Sequence, residues 1–316
     1  MSTKEKDHSW TIQKVLNWSH EFLLKKGIEE PRLAAEWLLA DLLDYSRMEL
    51  FLHFDKPLEK SELADYRELL KRRSTYEPTQ YILGSWEFWS LDLKVDHRVL
   101  IPRPETECLI EETIKLSQDG YLKDDGIFLD LGTGSGAISC ALAKEFSKAN
   151  IHAVDISKDA LDVAKENAIR CNVEENIQFY HGDLFEPISE HRFSLIVSNP
   201  PYIATRDLDA LQKEIRLFEP ISALDGGEDG LDIIRKILSL SPKFLDKDGI
   251  LLMEIGSDQG EIVLKEAKKN LIFQDVRIIQ DYAKKDRIVA CFMSKFHDVK
   301  RSDLTIESNK NQDGIV

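Results

Sequence analysis

An apolar run from Leu195 to Val197 ends abruptly in Ser198-Asn199-Pro200-Pro201-Tyr202. Proline has no N–H for a sheet ladder, so a strand stops at Pro200 and the backbone beyond it is stiff. Asn199 is thereby set at the mouth of a sheet, with a carbonyl acceptor and an NH₂ donor. Tyr202 adds a flat ring nearby. A fixed acceptor, a rigid wall and a ring suit a small planar group that carries an NH₂. The same residues also fit a proline-rich loop with a capping Asn, so the rest of the chain has to decide.

A second set of residues points to a cationic adenosine ligand. The short apolar strand Ile127 to Leu131 carries Asp130 and runs into Gly132-Thr133-Gly134-Ser135-Gly136. Such a loop turns tightly and lets a ligand approach the backbone. Asp155 ends the next strand, where an acid is placed to accept both hydroxyls of a ribose. Asp183 follows the third strand and Asn199 the fourth. Dinucleotide sites use G-x-G-x-x-G, whereas the spacing here is G-x-G-x-G with an acid two positions ahead. Asp130 would repel a pyrophosphate but suits a sulfonium and an ammonium. The set therefore favours S-adenosylmethionine over a dinucleotide.

Elements of alternating type must position these residues. Strands at Ile127–Leu131, Ile151–Asp155, Ile177–Tyr180 and Phe193–Ser198 alternate with helices from Ala137 and Leu161. Further on, a helix over Ile233–Leu240 precedes a strand over Ile250–Ile255. A helix over Gly260–Lys269 and two closing strands near Arg277–Gln280 and Arg287–Met293 follow. This order predicts an α/β fold, a mostly parallel sheet wrapped by helices, with ligands at the carboxyl ends of its strands. Upstream, Trp10, Val15, Trp18 and Phe22 recur at helical spacing. Pro31 suits a helix start, and Ser46 and Ser61 could start two more. Residues 1–78 thus read as a small helical module and 79–104 as a linking β-hairpin. The α/β domain covers 105–296, and 297–316 is a polar, disordered tail. Pro102 and Pro104 hold Arg103 extended, and Glu105 and Glu107 open a helix. Lys71-Arg72-Arg73 fits either a solvated helix end or a partner contact.

With 316 residues, 42% hydrophobic and 31% charged, the chain has enough apolar material for a real core. A net charge of −15 argues against extended binding along a nucleic-acid backbone. No apolar run reaches a membrane span, and the polar N-terminus is not a signal peptide. Four scattered cysteines read as buried thiols in a reducing cytoplasm, and the eight histidines show no metal-ligand spacing.

Asp130 to Gly136 resembles motif I of the class I methyltransferases. Asn199-Pro200-Pro201-Tyr202 resembles motif IV of the amino-methyltransferases. Together with Arg103-Pro104-Glu105-Thr106-Glu107 and the preceding hairpin, the chain from about Trp10 to Met293 is similar to the HemK/PrmC family of protein-(glutamine-N5) methyltransferases. Asp225 to Leu231 also looks family-like; on physics alone it is a flexible acidic turn. The resemblance implies a Rossmann-like catalytic domain behind a helical substrate-recognition module. It assigns Asp130, Gly132, Thr133, Gly134, Ser135, Gly136, Asp155, Asp183, Leu184 and Asn199 to S-adenosylmethionine. Leu184 or Phe185 would cover the adenine. Asn199, Pro200, Pro201, Tyr202 and Arg103 go to the substrate, with Asn199, Pro200 and Tyr202 in the transfer itself. The implied substrate is the glutamine of the Gly-Gly-Gln loop of class 1 peptide chain release factors, with no metal, membrane or direct nucleic-acid partner. In this reading the Asn199 side-chain oxygen and the Pro200 carbonyl accept the two amide N–H groups, and Tyr202 packs on the amide plane. A ribosomal-protein glutamine, an adenine amino group and a non-catalytic sensor of the cofactor are the competing readings.

Overall fold

A computed structural model describes residues 10–294; the tail expected over 297–316 lies outside the described residues. Five helices come first: α1 (Ile12–Lys25), α2 (Pro31–Leu42), α3 (Arg47–Leu52), α4 (Lys60–Arg73) and α5 (Thr79–Leu83). Their starts are locally encoded. Pro31 opens α2 where a missing N–H costs nothing. Ser46 and Glu49 form a reciprocal capping box at α3. α4 begins one residue before the expected Ser61, because Glu59 and Glu62 form the box there instead. Leu16, Leu23, Leu38, Leu39 and Leu50 are fully buried between these helices. The Tyr66 hydroxyl donates to the Ala35 carbonyl at 2.9 Å, which satisfies the polar end of a buried ring.

The hairpin pairs β1 (Ser85–Phe88) with β2 (Leu91–Lys94) through a two-residue turn at Trp89 and Ser90. Both turn residues have positive φ, 52° and 57°, as a tight turn matching strand twist requires. Phe88 and Leu93 are buried in the same apolar cluster as the sheet, so the hairpin packs onto the sheet's own core.

The remaining elements are α6 (Glu107–Gln118), β3 (Ile127–Leu131), α7 (Ala137–Glu145), β4 (Asn150–Asp155), α8 (Lys158–Arg170), β5 (Ile177–His181), β6 (Phe193–Ser198), α9 (Lys213–Phe218), α10 (Asp232–Leu240), β7 (Leu245–Glu254), α11 (Gly260–Lys269), β8 (Asp275–Gln280) and β9 (Asp286–Phe292). The sheet order is β5-β4-β3-β6-β7-β9-β8. β3 to β7 run parallel, and β9 and β8 close the edge antiparallel. Two differences from the sequence reading have physical causes. β7 starts at Leu245, because Leu245 pairs with Phe193 across a register shift; its polar start, Asp246-Lys247-Asp248-Gly249, reads locally as a turn. α9 is a short helix of six residues with no buried face to give it a period.

Successive residues of one strand face opposite layers. Phe128, Ile151, Val197 and Leu252 enter one apolar cluster, and Leu129, Val154, Ile196 and Leu251 the other. The chain leaves β3 towards β5, then returns to lay β6 on the far side of β3. The strand order therefore switches between β3 and β6, where a crevice opens at the carboxyl ends. Leu131 and Ser198 are paired neighbours there, so the glycine loop and Asn199 leave the sheet side by side.

The basic cluster at the end of α4 is largely spent internally. Arg72 pairs with Glu77 at 2.6 Å. Arg73 is buried and pairs with Glu214 of α9 at 2.5 Å, which ties the helical module to the segment after Asn199. Arg73→Ala is expected to cost about 2 kcal/mol, between the values for exposed and buried pairs. Thermal unfolding would show it; a loss no greater than that of Arg216→Ala, whose pair with Asp209 is exposed, would contradict it.

Candidate active site

One cavity of about 290 Å³ lies at the switch point. That is close to the lower end of small-ligand sites, roughly 300–1,000 Å³. Gly132, Thr133, Gly134, Ser135 and Asp155 line one side. Asp183 and Leu184 lie at another, and Asn199, Pro200, Pro201 and Arg103 at the third. Asp130, Gly136 and Tyr202 do not line it, and each has a different position from the one expected.

Asp130 is fully buried beneath the glycine loop. Its Oδ2 accepts from Thr133 Oγ1 at 2.7 Å and from Ser139 Oγ at 2.6 Å. Burial pushes its pKa up to about 6, against the pull of those two hydroxyls. Its Oδ1 is buried with no partner. Gly136 is a packing residue: at φ +79° it turns the chain into α7, and a Cβ there would stand 3.0 Å from the Ala164 Cβ of α8. Behind the loop, Asn167 of α8 donates to the Ser135 carbonyl at 2.8 Å and accepts from the Lys94 N–H at 2.7 Å. One buried side chain thus braces both the loop and the hairpin.

Asp155 closes β4 and reaches back to the loop. Its Oδ2 accepts from the Gly134 N–H and its Oδ1 from the Ser157 N–H, both at 2.8 Å. Burial raises its pKa, opposed by these backbone donors. Asp155 also lines the cavity, and an ionised carboxylate has more acceptor sites than these donors fill. Leu184 sits at φ +48° and faces the cavity. Phe185 is buried and stacked on Phe244, ring centroids 4.4 Å apart. Leu184, not Phe185, is therefore available to a flat group at this wall.

Asn199 is held by a chain of buried partners. Its Nδ2 donates to Thr106 Oγ1 at 3.1 Å, and Thr106 Oγ1 donates to Glu254 Oε2 at 2.7 Å. The Tyr202 hydroxyl donates to the other Glu254 oxygen at 3.2 Å. Burial pushes the Glu254 carboxyl up to about 7; Thr106, Arg287 and Tyr202 pull it down and Glu105 pushes it further up. Tyr202 was expected to lie on a substrate plane. Its ring instead packs against the apolar cluster beside β7, anchored through its hydroxyl. Thr106 and Glu254 were missed as site residues. Glu254 carried the same signal that marked Asp155 and Asn199, a polar residue ending an apolar strand.

Arg103 was expected to offer its charge to a substrate. It is extended, as its flanking prolines require (φ −98°, ψ 142°). Its guanidinium, however, donates to Glu219 Oε1 at 2.5 Å, and Glu219 is almost wholly buried. The second Glu219 oxygen accepts from the Ile101 N–H at 3.2 Å. Arg103 thus fastens the segment after Asn199 along one wall of the cavity.

Asp225 to Leu231 is not a loose acidic turn. Asp225 accepts from Thr205, and Asp229 pairs with Arg235 at 2.6 Å. The backbone of this segment packs directly under Pro201 and Tyr202. A Cβ on Gly230, already at φ +77°, would lie 2.4 Å from the Tyr202 carbonyl oxygen. Gln259 donates to that same oxygen at 2.9 Å. Gly230→Ala should therefore displace the backbone carrying Asn199: kcat is expected to fall at least about tenfold, with cofactor affinity little changed. Unchanged kcat would show that the segment yields without moving the site.

The residues present fit S-adenosylmethionine. Asp155 brings a carboxylate to the cavity wall, and a side chain on Gly132 would meet nothing within 4 Å, so bare backbone faces the cavity; Asp130, buried beneath the loop, braces it from behind. Among the described residues no cluster of His, Cys, Asp and Glu could hold a metal ion, and no helix is long and apolar enough to cross a membrane.

Comparison with known proteins bears on the same regions. Residues 14–84 match the PrmC N-terminal domain family and residues 108–217 the methyltransferase small domain family. The release factor glutamine methyltransferase of Geobacter sulfurreducens is 46% identical over 260 residues, which is 82% of this chain and 89% of that protein. Those of Rhodopirellula baltica and Vibrio cholerae are 39% and 43% identical, covering 92% and 89% of this chain and 99% and 96% of their own. In fold, the chain is similar to the hMettl16 catalytic domain solved with an RNA hairpin, with a TM-score of 0.53 at 17% identity, covering 89% of this chain and 92% of that one. Sequence similarity at this level, running through both the helical module and the sheet, means that the chain belongs to the release factor glutamine methyltransferase family.

Proposed function

We propose that this protein transfers a methyl group from S-adenosylmethionine to the side-chain amide nitrogen of a glutamine, in the Gly-Gly-Gln loop of class 1 peptide chain release factors. The observation that carries the reading is the held amide of Asn199. Its NH₂ is engaged by Thr106, so the acceptor it offers at the cavity is its carbonyl oxygen, beside the glycine loop and Asp155.

A glutamine amide is a poor nucleophile, because its nitrogen lone pair is delocalised into the carbonyl. S-adenosylmethionine supplies an electrophilic methyl group on a sulfonium. The chain's work is then orientation. Asn199 Oδ1 and the Pro200 carbonyl accept the two N–H groups of the substrate amide and push electron density towards its nitrogen. The Pro200-Pro201 backbone, stiff and buttressed by Gly230 and Gln259, keeps those acceptors still. Asp155 and the loop fix the other reactant. Holding two reactants in line is worth up to roughly 7–11 kcal/mol of barrier. No base need act before transfer, since the methylated amide loses its extra proton readily afterwards.

A net charge of −15 does not favour an adenine in nucleic acid as the target. A translation factor as substrate supports a cytoplasmic location. The test is incubation with methyl-labelled S-adenosylmethionine and, separately, release factor, ribosomal protein and DNA. Label on the release factor alone is expected; label on DNA, or on nothing, contradicts the reading.

A further inference from the structure

We infer that Glu254 is a positioning residue: acting through the Thr106 hydroxyl, it dictates which end of the Asn199 amide faces the substrate. The inference rests on the amide-transfer reading above and deepens it. A primary amide is nearly symmetric in shape, so sterics alone do not choose between presenting its oxygen and presenting its NH₂. The choice matters here. The oxygen can accept from a substrate NH₂, whereas the NH₂ would meet it donor to donor.

The chain of bonds makes the choice. Ionised Glu254 is an acceptor only. Thr106 has a single hydroxyl proton and gives it to Glu254 at 2.7 Å. The Thr106 oxygen is then left with lone pairs alone, so the Asn199 atom that faces it must be a donor, and Nδ2 lies there at 3.1 Å. Oδ1 is consequently the end turned to the cavity. Thr106 is 4% and Glu254 1% exposed, so water does not stand in for either partner. Aligned bonds ending on a charge also polarise one another, which makes Oδ1 a better acceptor. Tyr202 belongs to the same device. Its hydroxyl occupies the second Glu254 oxygen at 3.2 Å and keeps that carboxylate in place. Arg287 and Asp281 stand behind it, paired at 3.1 Å. The groups whose charge bears on Glu254 are Arg287, which favours the anion, and Glu105, which disfavours it.

Remove the hydroxyl or the carboxylate and the polarity is no longer imposed. Thr106→Val keeps the shape and deletes the relay. Glu254→Gln keeps the volume but presents both a donor and an acceptor to Thr106. Thr106→Ser keeps the hydroxyl. The measurement pairs kinetics with substrate-free NMR of the full chain carrying ¹⁵N-labelled asparagine, on the alkaline side of neutrality where Glu254 is ionised. In the wild type, the Asn199 side-chain NH₂ should exchange slowly with solvent. In Thr106→Val and Glu254→Gln that protection should fall, and kcat on release factor should drop about tenfold, the worth of one hydrogen bond, while the KM for S-adenosylmethionine holds. Thr106→Ser should restore both.

Unchanged Asn199 protection in Thr106→Val would overturn the inference. So would lost protection with full kcat, or a loss in Thr106→Ser as large as in Thr106→Val, which would mark Thr106 as merely structural. The NMR readout needs no substrate, so it separates failure of this inference from failure of the release-factor reading.

Discussion

Asn199→Ala is expected to abolish measurable methyl transfer, a fall of at least about 10²–10³-fold in kcat, the cost of losing one preorganised polar partner of a transition state. Cofactor affinity should stay within a few-fold. The reason is where the residue sits. In the proposed function its side chain serves the reacting amide, and it lines the cavity together with Pro200 and Pro201. Asp155 and the glycine loop, which the proposed function assigns to the other reactant, are braced separately, through Gly134, Ser157 and Asn167. Truncating Asn199 leaves those bonds intact. Calorimetric titration with S-adenosylmethionine, beside a single-turnover assay, measures both quantities. A large loss of cofactor affinity would mean that Asn199 belongs chiefly to the cofactor side.

Asp155→Ala should show the opposite pattern. A hydrogen bond to a charged group is worth roughly 1.5–3 kcal/mol, so loss of the ribose acceptors should weaken cofactor binding by about 10–150-fold. The same carboxylate holds the Gly134 N–H at 2.8 Å, so the loop loses a brace as well. Most of the damage should appear in Kd and KM for the cofactor, with single-turnover rate at saturation falling much less. An unaltered Kd would remove Asp155 from the cofactor site. Taken together, the two variants split the cavity into a methyl-donor side and an amide side.

Much of this arrangement was legible in the sequence because strand ends are legible. A short apolar run that stops in a polar residue gives both the strand and the position of its last side chain. That rule placed Asp155, Asp183 and Asn199 around one crevice, and it applies equally to Glu254, which sits inside the strand read over Ile250–Ile255 and ends it in the structure. Side-chain partners were harder to foresee. Arg103 between two prolines reads as a substrate-binding residue, but its counter-ion, Glu219, lies far along the chain and is buried by packing that no local pattern reveals. Tyr202 looked like a platform for the substrate; whether its ring faces the cavity or the core depends on Glu254, which arrives from another strand. Gly226 to Gly230 read as a flexible turn, since nothing local shows that the Pro201 and Tyr202 carbonyls press against them. Local physics fixed most element ends, though not the start of β7, which pairing with Phe193 sets; long-range partners decided which way side chains point.

The central claim is that Asn199 presents a glutamine amide nitrogen to the methyl donor. The most direct test is to find the methyl group. Release factor incubated with the protein and S-adenosylmethionine would be digested and fragmented by mass spectrometry. The account predicts one added methyl, on the side-chain nitrogen of the glutamine in the Gly-Gly-Gln loop, absent with Asn199→Ala. A methyl group on any other atom of the release factor, or the same product from Asn199→Ala, would contradict it.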